Sequence, residues 1–390
     1  MIRLFGHLYA PEDRGLCLVT VEGDRIAAIE PAAEAHGLGS APGVIGGSNA
    51  RILPGLLDIQ VNGAFGDDFA DPAARMDMIC RGLPRFGVTG FVPTIVTSTP
   101  DVYGPALRNL TRRARPGEAA VLGVHIEGPY ISPAHPGTHD PALLRLPAVR
   151  EAAAWLESGG VSWLTLAPEL PGALPLTEFL VRNGVRVSVG HTDATWDQAA
   201  AAAEAGATMV THLFNAMRPF RHRDPGVAGF ALASDLRTGF IADGNHISFD
   251  TIRVVSRAKA AEDLILVTDA LAGLGMPPGR YVLAGREYVS DGTCGRLPDG
   301  TLSGSLLPLN RALRNLVEEC GFAVGAAVAC VTANPARALG LENERGHLEV
   351  GRSADLTVVD DKWDVLATVT GGAVAYAAEE TPAPAPEGVL

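Results

Sequence analysis

Between about residues 52 and 341, short apolar runs alternate with stretches rich in Ala, Glu and Arg. The clearest runs are 51–61, 90–95, 121–127, 163–167, 186–191, 208–212, 238–243 and 264–269. The run at 264–269 is apolar nearly throughout rather than alternating, as a strand buried on both faces requires. Between the runs lie Ala-rich or amphipathic segments, such as those opening at Trp196 and Phe249, with helical propensity or apolar residues at three-to-four spacing. Eight strands alternating with helices predict an α/β fold, a (β/α)8 TIM-like barrel of parallel strands. Both ends of the chain read differently. Residues 17–22 alternate apolar and polar, Gly23-Asp24 supplies a turn, and 25–30 resume a strand, a texture that returns at 354–360 and 365–376. The expected organisation is a small β-sandwich domain from both termini (1–51 and 342–380), a barrel over 52–341, and a mobile tail over the Pro-rich residues 381–390.

Composition narrows the function. A chain of 390 residues that is 47% hydrophobic can bury a large core. Its net charge of -13 excludes nucleic acid or an anionic membrane as the main partner, since both require a basic footprint. The basic loop Arg218, Arg221, His222 and Arg223 therefore stands out, following directly on His212 and Asn215 as an anion site would follow a metal ligand. Five cysteines without CxxC spacing predict neither a disulfide framework nor a zinc knuckle, and point to a reducing cytoplasm. No apolar run reaches eighteen residues and no leader pattern opens the chain, so a soluble, unexported protein is expected.

In such a barrel, chemistry is read at the C-terminal ends of the strands. There the chain carries Gln60, Glu127, His191, His212, His246 just past the seventh run, and Asp269. A single histidine at a strand end is more often a capping or packing residue, but three of them with two carboxylates are expected to converge within reach of one point at the barrel mouth. Glu127, His191 and His212 make a one-carboxylate, two-imidazole set that leaves a fourth position open, the pattern of catalytic zinc sites. Asp269 follows the run Leu-Ile-Leu-Val-Thr, expected to be fully buried, so its carboxylate emerges only at the mouth, where it suits a general base. Two residues before Glu127, His125 is expected on the opposite face of its strand, packed in the core.

Seven segments carry a resemblance: 54–63 (PGLLDIQVNG), 125–129 (HIEGP), 190–193 (GHTD), 211–217 (THLFNAM), 242–246 (ADGNH), 267–270 (VTDA) and 300–305 (GTLSGS). Together they resemble the N-acetylglucosamine-6-phosphate deacetylase family of the amidohydrolase superfamily. The resemblance implies that Glu127, His191 and His212 hold the metal, that Asp269 activates water and then protonates the amine, and that His139 stands beside the acetyl carbonyl. It further implies a sugar-phosphate site built from Thr138, Asn215, the Ala216 backbone, Arg223 and His246, with the Leu302-Ser303-Gly304 turn lining the pocket. Arg223 brings a planar fork suited to phosphate oxygens, whereas Arg218, Arg221 and His222 are expected on a solvated rim. Residues 133–139 read as a loop able to close over substrate. A homodimer is implied, with part of the phosphate site lent by the neighbouring subunit.

The first strand departs from the wider superfamily, where an HxH pair serves a second metal; Gln60 and Asn62 stand at those positions. Neutral amides are poor ligands beside imidazole and carboxylate, so one divalent ion per subunit is expected: zinc, with iron, cobalt or manganese as alternatives. The implied reaction is hydrolysis of N-acetyl-D-glucosamine 6-phosphate to D-glucosamine 6-phosphate and acetate, in amino-sugar catabolism. Deacetylation of N-acetylgalactosamine 6-phosphate and a metal-free scaffold of the same fold are the alternatives. A cyclic-amide hydrolase would need the HxH pair and a bridging lysine, neither of which is evident.

Overall fold

The computed structural model describes residues 1–32 and 43–378. Eight parallel strands pair in chain order: β1 Leu56–Val61, β2 Val88–Val96, β3 Val124–Glu127, β4 Val161–Leu166, β5 Arg186–Val189, β6 Met209–Val210, β7 Arg237–Phe240 and β8 Leu264–Leu266. Each coincides with one of the apolar runs. Every residue of β1 and β2 is buried, which is why these segments lack a polar face. The ring closes between β8 and β1 through single bonds rather than a ladder: the Asp269 N–H donates to the Gln60 carbonyl at 3.0 Å, and the Asn62 N–H to the Ala270 carbonyl at 2.7 Å. Asp269 and Gln60 are thereby held side by side on the seam.

Helices between the strands begin where the chain supplies caps. Thr195 caps Trp196–Glu204 in a reciprocal capping box with Gln198, and the Ser248 hydroxyl accepts from the Thr251 N–H to open Phe249–Ala258. The barrel interior is filled by Ile59, Val92, Trp163, Met209, Ile241, Ile265 and Val267. His125 belongs to this filling: its ring stacks on Trp163 at 4.1 Å and bonds Thr94 Oγ1 and Thr165 Oγ1 at 3.1 and 2.7 Å. It is a packed core histidine, but on the same face as Glu127, because strand side chains repeat every two residues. Burial takes its imidazole down to about 3, so it stays neutral beneath the site. Trp163→Ala is expected to lower the unfolding free energy by about 3–5 kcal/mol. A chemical-denaturation midpoint that hardly moves would show that the interior tolerates the void.

The terminal segments form one seven-stranded sheet, in the order Ala373–Ala377, Val365–Thr370, Leu356–Val359, Val44–Pro54, Ile2–Tyr9, Asp13–Glu22, Arg25–Pro31. Its Arg25–Pro31 edge folds back onto the segment that leads into Leu356–Val359: the Ile26 N–H donates to the Arg352 carbonyl and the Ala354 N–H to the Asp24 carbonyl, at 3.0 and 2.9 Å. Leu4, Val19, Ile52, Leu356, Val358 and Val369 share the enclosed core. The tail expected over 381–390 lies outside the described residues. Among the described residues, no helix is long and apolar enough to cross a membrane.

One feature was not legible in the pattern. After β8 the chain makes a four-stranded antiparallel insertion, Gly279–Leu283, Arg286–Ser290, Cys294–Arg296 and Leu302–Ser305, before helix Leu309–Glu318. The segment expected as a Leu302-Ser303-Gly304 turn is therefore a strand. It pairs with Cys294–Arg296 and meets Ala270 at a bridge, which carries Leu302 and Ser303 to the barrel mouth.

Candidate active site

Glu127 is the last residue of β3, while His191, His212 and Asp269 follow within three residues of the ends of β5, β6 and β8. The latter three have φ of +47°, +26° and +51°. Side chains bearing a Cβ rarely adopt such angles, and strain of this kind persists only where the surroundings over-determine it, as at binding and catalytic positions. Here the left-handed residue bends the chain just past the strand end and turns its side chain into a cavity of about 210 Å³.

Three ligand atoms meet on its floor. His212 Nε2 lies 3.0 Å from Glu127 Oε1 and 3.1 Å from His191 Nε2, and His191 Nε2 lies 3.3 Å from the same carboxylate oxygen. Bonds of about 2.0–2.1 Å at tetrahedral angles place ligand atoms about 3.3 Å apart. Two imidazole nitrogens and one carboxylate oxygen at these separations match the spacing of ligands around a divalent ion. Burial alone would raise the Glu127 carboxyl, but hydrogen bonds from His191 and His212 outweigh it and hold the group well below the ordinary carboxylate range. The ring of His191 is aimed from behind, its Nδ1 lying 3.1 Å from the carbonyl of His135; a carbonyl can only accept, so Nδ1 carries a proton and Nε2 is turned to the centre. Glu127, His139 and His191 also have ligand atoms within 4.8 Å of one another. That set is looser, with His139 Nε2 4.0 Å from Glu127 Oε2, and the Glu127–His191–His212 triangle is the better cradle.

Asp269 stands next to this triangle. Its Oδ1 accepts from Asn62 Nδ2 at 2.7 Å and from Gln60 Nε2 at 3.2 Å, leaving Oδ2 for the cavity. Gln60 Nε2 also donates to Glu127 Oε1 at 3.1 Å, so one neutral amide lies between two carboxylates. Burial, and next the negative charge of Glu127, push the Asp269 carboxyl up to about 6. The amides at 60 and 62 are legible in the sequence only as missing imidazoles; their work as donors that orient Asp269 is visible only in three dimensions.

His139 comes from the loop after β3. Its Nδ1 faces the Thr97 N–H at 3.3 Å and the Thr97 hydroxyl at 2.7 Å. A backbone N–H can only donate, so Nδ1 accepts and the ring proton resides on Nε2. Burial holds the imidazole well below its usual value, hence neutral. The result is an Nε2–H donor on the cavity wall. Neither Thr97 nor Arg286, whose Nη1 donates to the carbonyls of Thr138 and His139 at 2.7 and 3.1 Å, belongs to any recognised motif.

The remaining expected residues divide. Thr138, Asn215, Ala216, His246, Leu302 and Ser303 line the cavity. Asp243 Oδ2 lies 2.7 Å from His246 Nδ1, fixing that ring from behind, a partner the sequence shows only as a strand-end acid. Gly304 is not on the wall but beneath it, where a Cβ would meet the Asp269 carbonyl at 2.6 Å; glycine there lets the strand approach the seam closely. Arg223 is exposed and outside the cavity lining. Arg218 does not join a solvated rim: half-buried, it pairs with Asp224 at 2.8 Å and Asp193 at 3.3 Å and shapes the loop. Arg221 and His222 are exposed.

A model of the amidohydrolase family matches residues 51–378. N-acetylglucosamine-6-phosphate deacetylase of Rattus norvegicus is 40% identical over 347 residues, 85% of each chain. N-acetylgalactosamine-6-phosphate deacetylase of Escherichia coli O157:H7 is 35% identical over 343 residues, 86% of this chain and 88% of that one. Among solved structures, an aspartate-to-alanine mutant of N-acetyl-D-glucosamine-6-phosphate deacetylase from Mycobacterium smegmatis, in complex with N-acetyl-D-glucosamine-6-phosphate, matches with a TM-score of 0.88 at 32% identity. That match covers 96% of this chain and 99% of the other. Fold, cavity and relatives agree: the chain belongs to the amidohydrolase family, and its likeness within that family is to the N-acetylglucosamine-6-phosphate deacetylases.

Proposed function

We propose that this protein is a metal-dependent hydrolase that cleaves the acetamide of N-acetyl-D-glucosamine 6-phosphate, releasing acetate and D-glucosamine 6-phosphate in amino-sugar catabolism. The observation that carries this reading is the juxtaposition, in one buried cavity, of a Glu/His/His triangle, an aspartate with a free Oδ2, and a neutral histidine presenting Nε2–H. Glu127, His191 and His212 would hold one divalent ion, with zinc suiting the donor set. Such an ion polarises a carbonyl and makes water acidic near neutral pH. Asp269 takes the proton from the attacking water through Oδ2 and delivers it to the departing amine. His139 donates its Nε2–H to the oxyanion that develops on the acetyl oxygen as water attacks the carbonyl carbon. Asn62 and Gln60 hold the Asp269 carboxylate at the angle this transfer needs.

The sugar phosphate is assigned to the side of the cavity walled by Thr138, Asn215, the Ala216 backbone, His246, Leu302 and Ser303. Arg223 faces solvent in a single chain, and the reading is that a second copy, in a homodimer, brings this guanidinium to the phosphate. Five free, buried cysteines support a cytoplasmic location.

Acetate release from N-acetylglucosamine 6-phosphate and its galactosamine epimer tests the substrate. We expect kcat/KM for the former to be higher by about tenfold or more, the equivalent of a single well-made hydroxyl contact. The reverse order would make this protein an epimer-specific relative, and no release from either sugar phosphate would leave a scaffold.

A further inference from the structure

The insertion after β8 does more than wall the cavity. Its first hairpin, Gly279–Leu283 with Arg286–Ser290, turns through Ala284 and Gly285 alone, both at positive φ (+47° and +82°), the signature of a tight primed turn. This turn is bolted to the loop after β1, where Asp68 Oδ2 accepts from the Ala284 N–H at 2.5 Å. Arg286 is the next residue after the turn, so its backbone is fixed on a rigid element. From there its Nη1 reaches two consecutive carbonyls of the loop after β3, Thr138 at 2.7 Å and His139 at 3.1 Å. A charged donor on two main-chain carbonyls is among the stronger hydrogen-bond arrangements available.

The loop so gripped has little regular structure of its own. Residues 133–139 contain two prolines and a glycine and run between β3 and a short helical turn at Pro141–Leu143. The same loop delivers the His135 carbonyl to His191 and the His139 ring to Thr97. We infer that Arg286 is a positioning residue: it holds the 133–139 strap against the barrel mouth and thereby sets the His139 Nε2–H for the oxyanion, without touching substrate. The inference rests on the proposed hydrolysis for its catalytic consequence, and on the two carbonyl bonds for its structural one.

Arg286→Ala tests both. Hydrogen exchange of the intact protein is expected to quicken in the peptide covering 133–140 and to stay unchanged in the barrel strands. In the acetate assay, kcat is expected to fall on the order of 10–100-fold with KM within about threefold, as for a catalytic group displaced by about 1 Å. Arg286→Lys, which keeps a cationic donor, recovers most of this loss. Combined with His139→Asn, the Arg286→Ala effect on kcat shrinks to less than about twofold, because the two residues act as a unit. Unchanged exchange at 133–140, or the same kcat factor with and without His139, overturns the inference. Quickened exchange in a protein that releases no acetate supports the strap and removes only the proposed reaction.

Discussion

Asp269→Asn is expected to lower kcat on the order of 10³-fold, within the range that a positioned general base contributes. The substitution is nearly isosteric, and its retained carbonyl oxygen can still accept from Asn62 Nδ2, so the seam at β8 and β1 and the Glu127–His191–His212 triangle should stand. Bound metal near one per chain in an inactive variant separates the proton-transfer role from a structural one. The pH profile adds a second reading. The carboxyl is pushed up to about 6 by burial and then by Glu127, and only its ionised form can take a proton. Activity of the parent protein therefore falls as pH drops through about 6, and a cation at the centre draws this limb lower, never higher. An acid limb centred above pH 7, or a variant retaining most of its turnover, rules Asp269 out as the base.

Removal of the metal is expected to be as damaging. Chelated protein should lose turnover by about 10³-fold or more, and one equivalent of zinc per chain should restore it. Glu127→Gln keeps shape but removes the charge on which His191 and His212 converge at 3.3 and 3.0 Å. Loss of an outer partner of a metal site already weakens binding 10–100-fold, so losing the central ligand should weaken it by at least about 100-fold. Quantitation by elemental analysis, with and without activity, decides the matter. Two tightly held ions per chain would overturn the single-ion reading drawn from Gln60 and Asn62; full activity after complete chelation would overturn the metal reading itself.

Arg286 differs in kind from Asp269 and Glu127. Asp269 and Glu127 act from strand ends, where the barrel itself is the support. His139 acts from a loop, and a loop holds a donor to within a fraction of an ångström only if something rigid grips it. The insertion after β8 supplies that grip from about 150 residues away in sequence, since its two bonds to the loop span 148 and 147 positions.

What the sequence determined by itself was the barrel and the identity of its mouth. Unbroken apolar runs have no stable position except between two covered faces, and a parallel strand of that kind can expose a polar residue only where it ends, so residue order alone makes Glu127, His191, His212 and Asp269 neighbours. The two-residue period of a strand likewise sets His125 inside the barrel below Glu127, not on the opposite face. Only the tertiary structure decided how those neighbours are held. The left-handed turns at His191, His212 and Asp269 leave no mark in residue type, because their strain is borne by the surrounding packing. The donors from Asn62, Thr97 and Arg286 join segments 207, 42 and 148 positions apart. Such contacts depend on where the closed ring and the insertion bring distant backbone together, and local pattern carries no record of that.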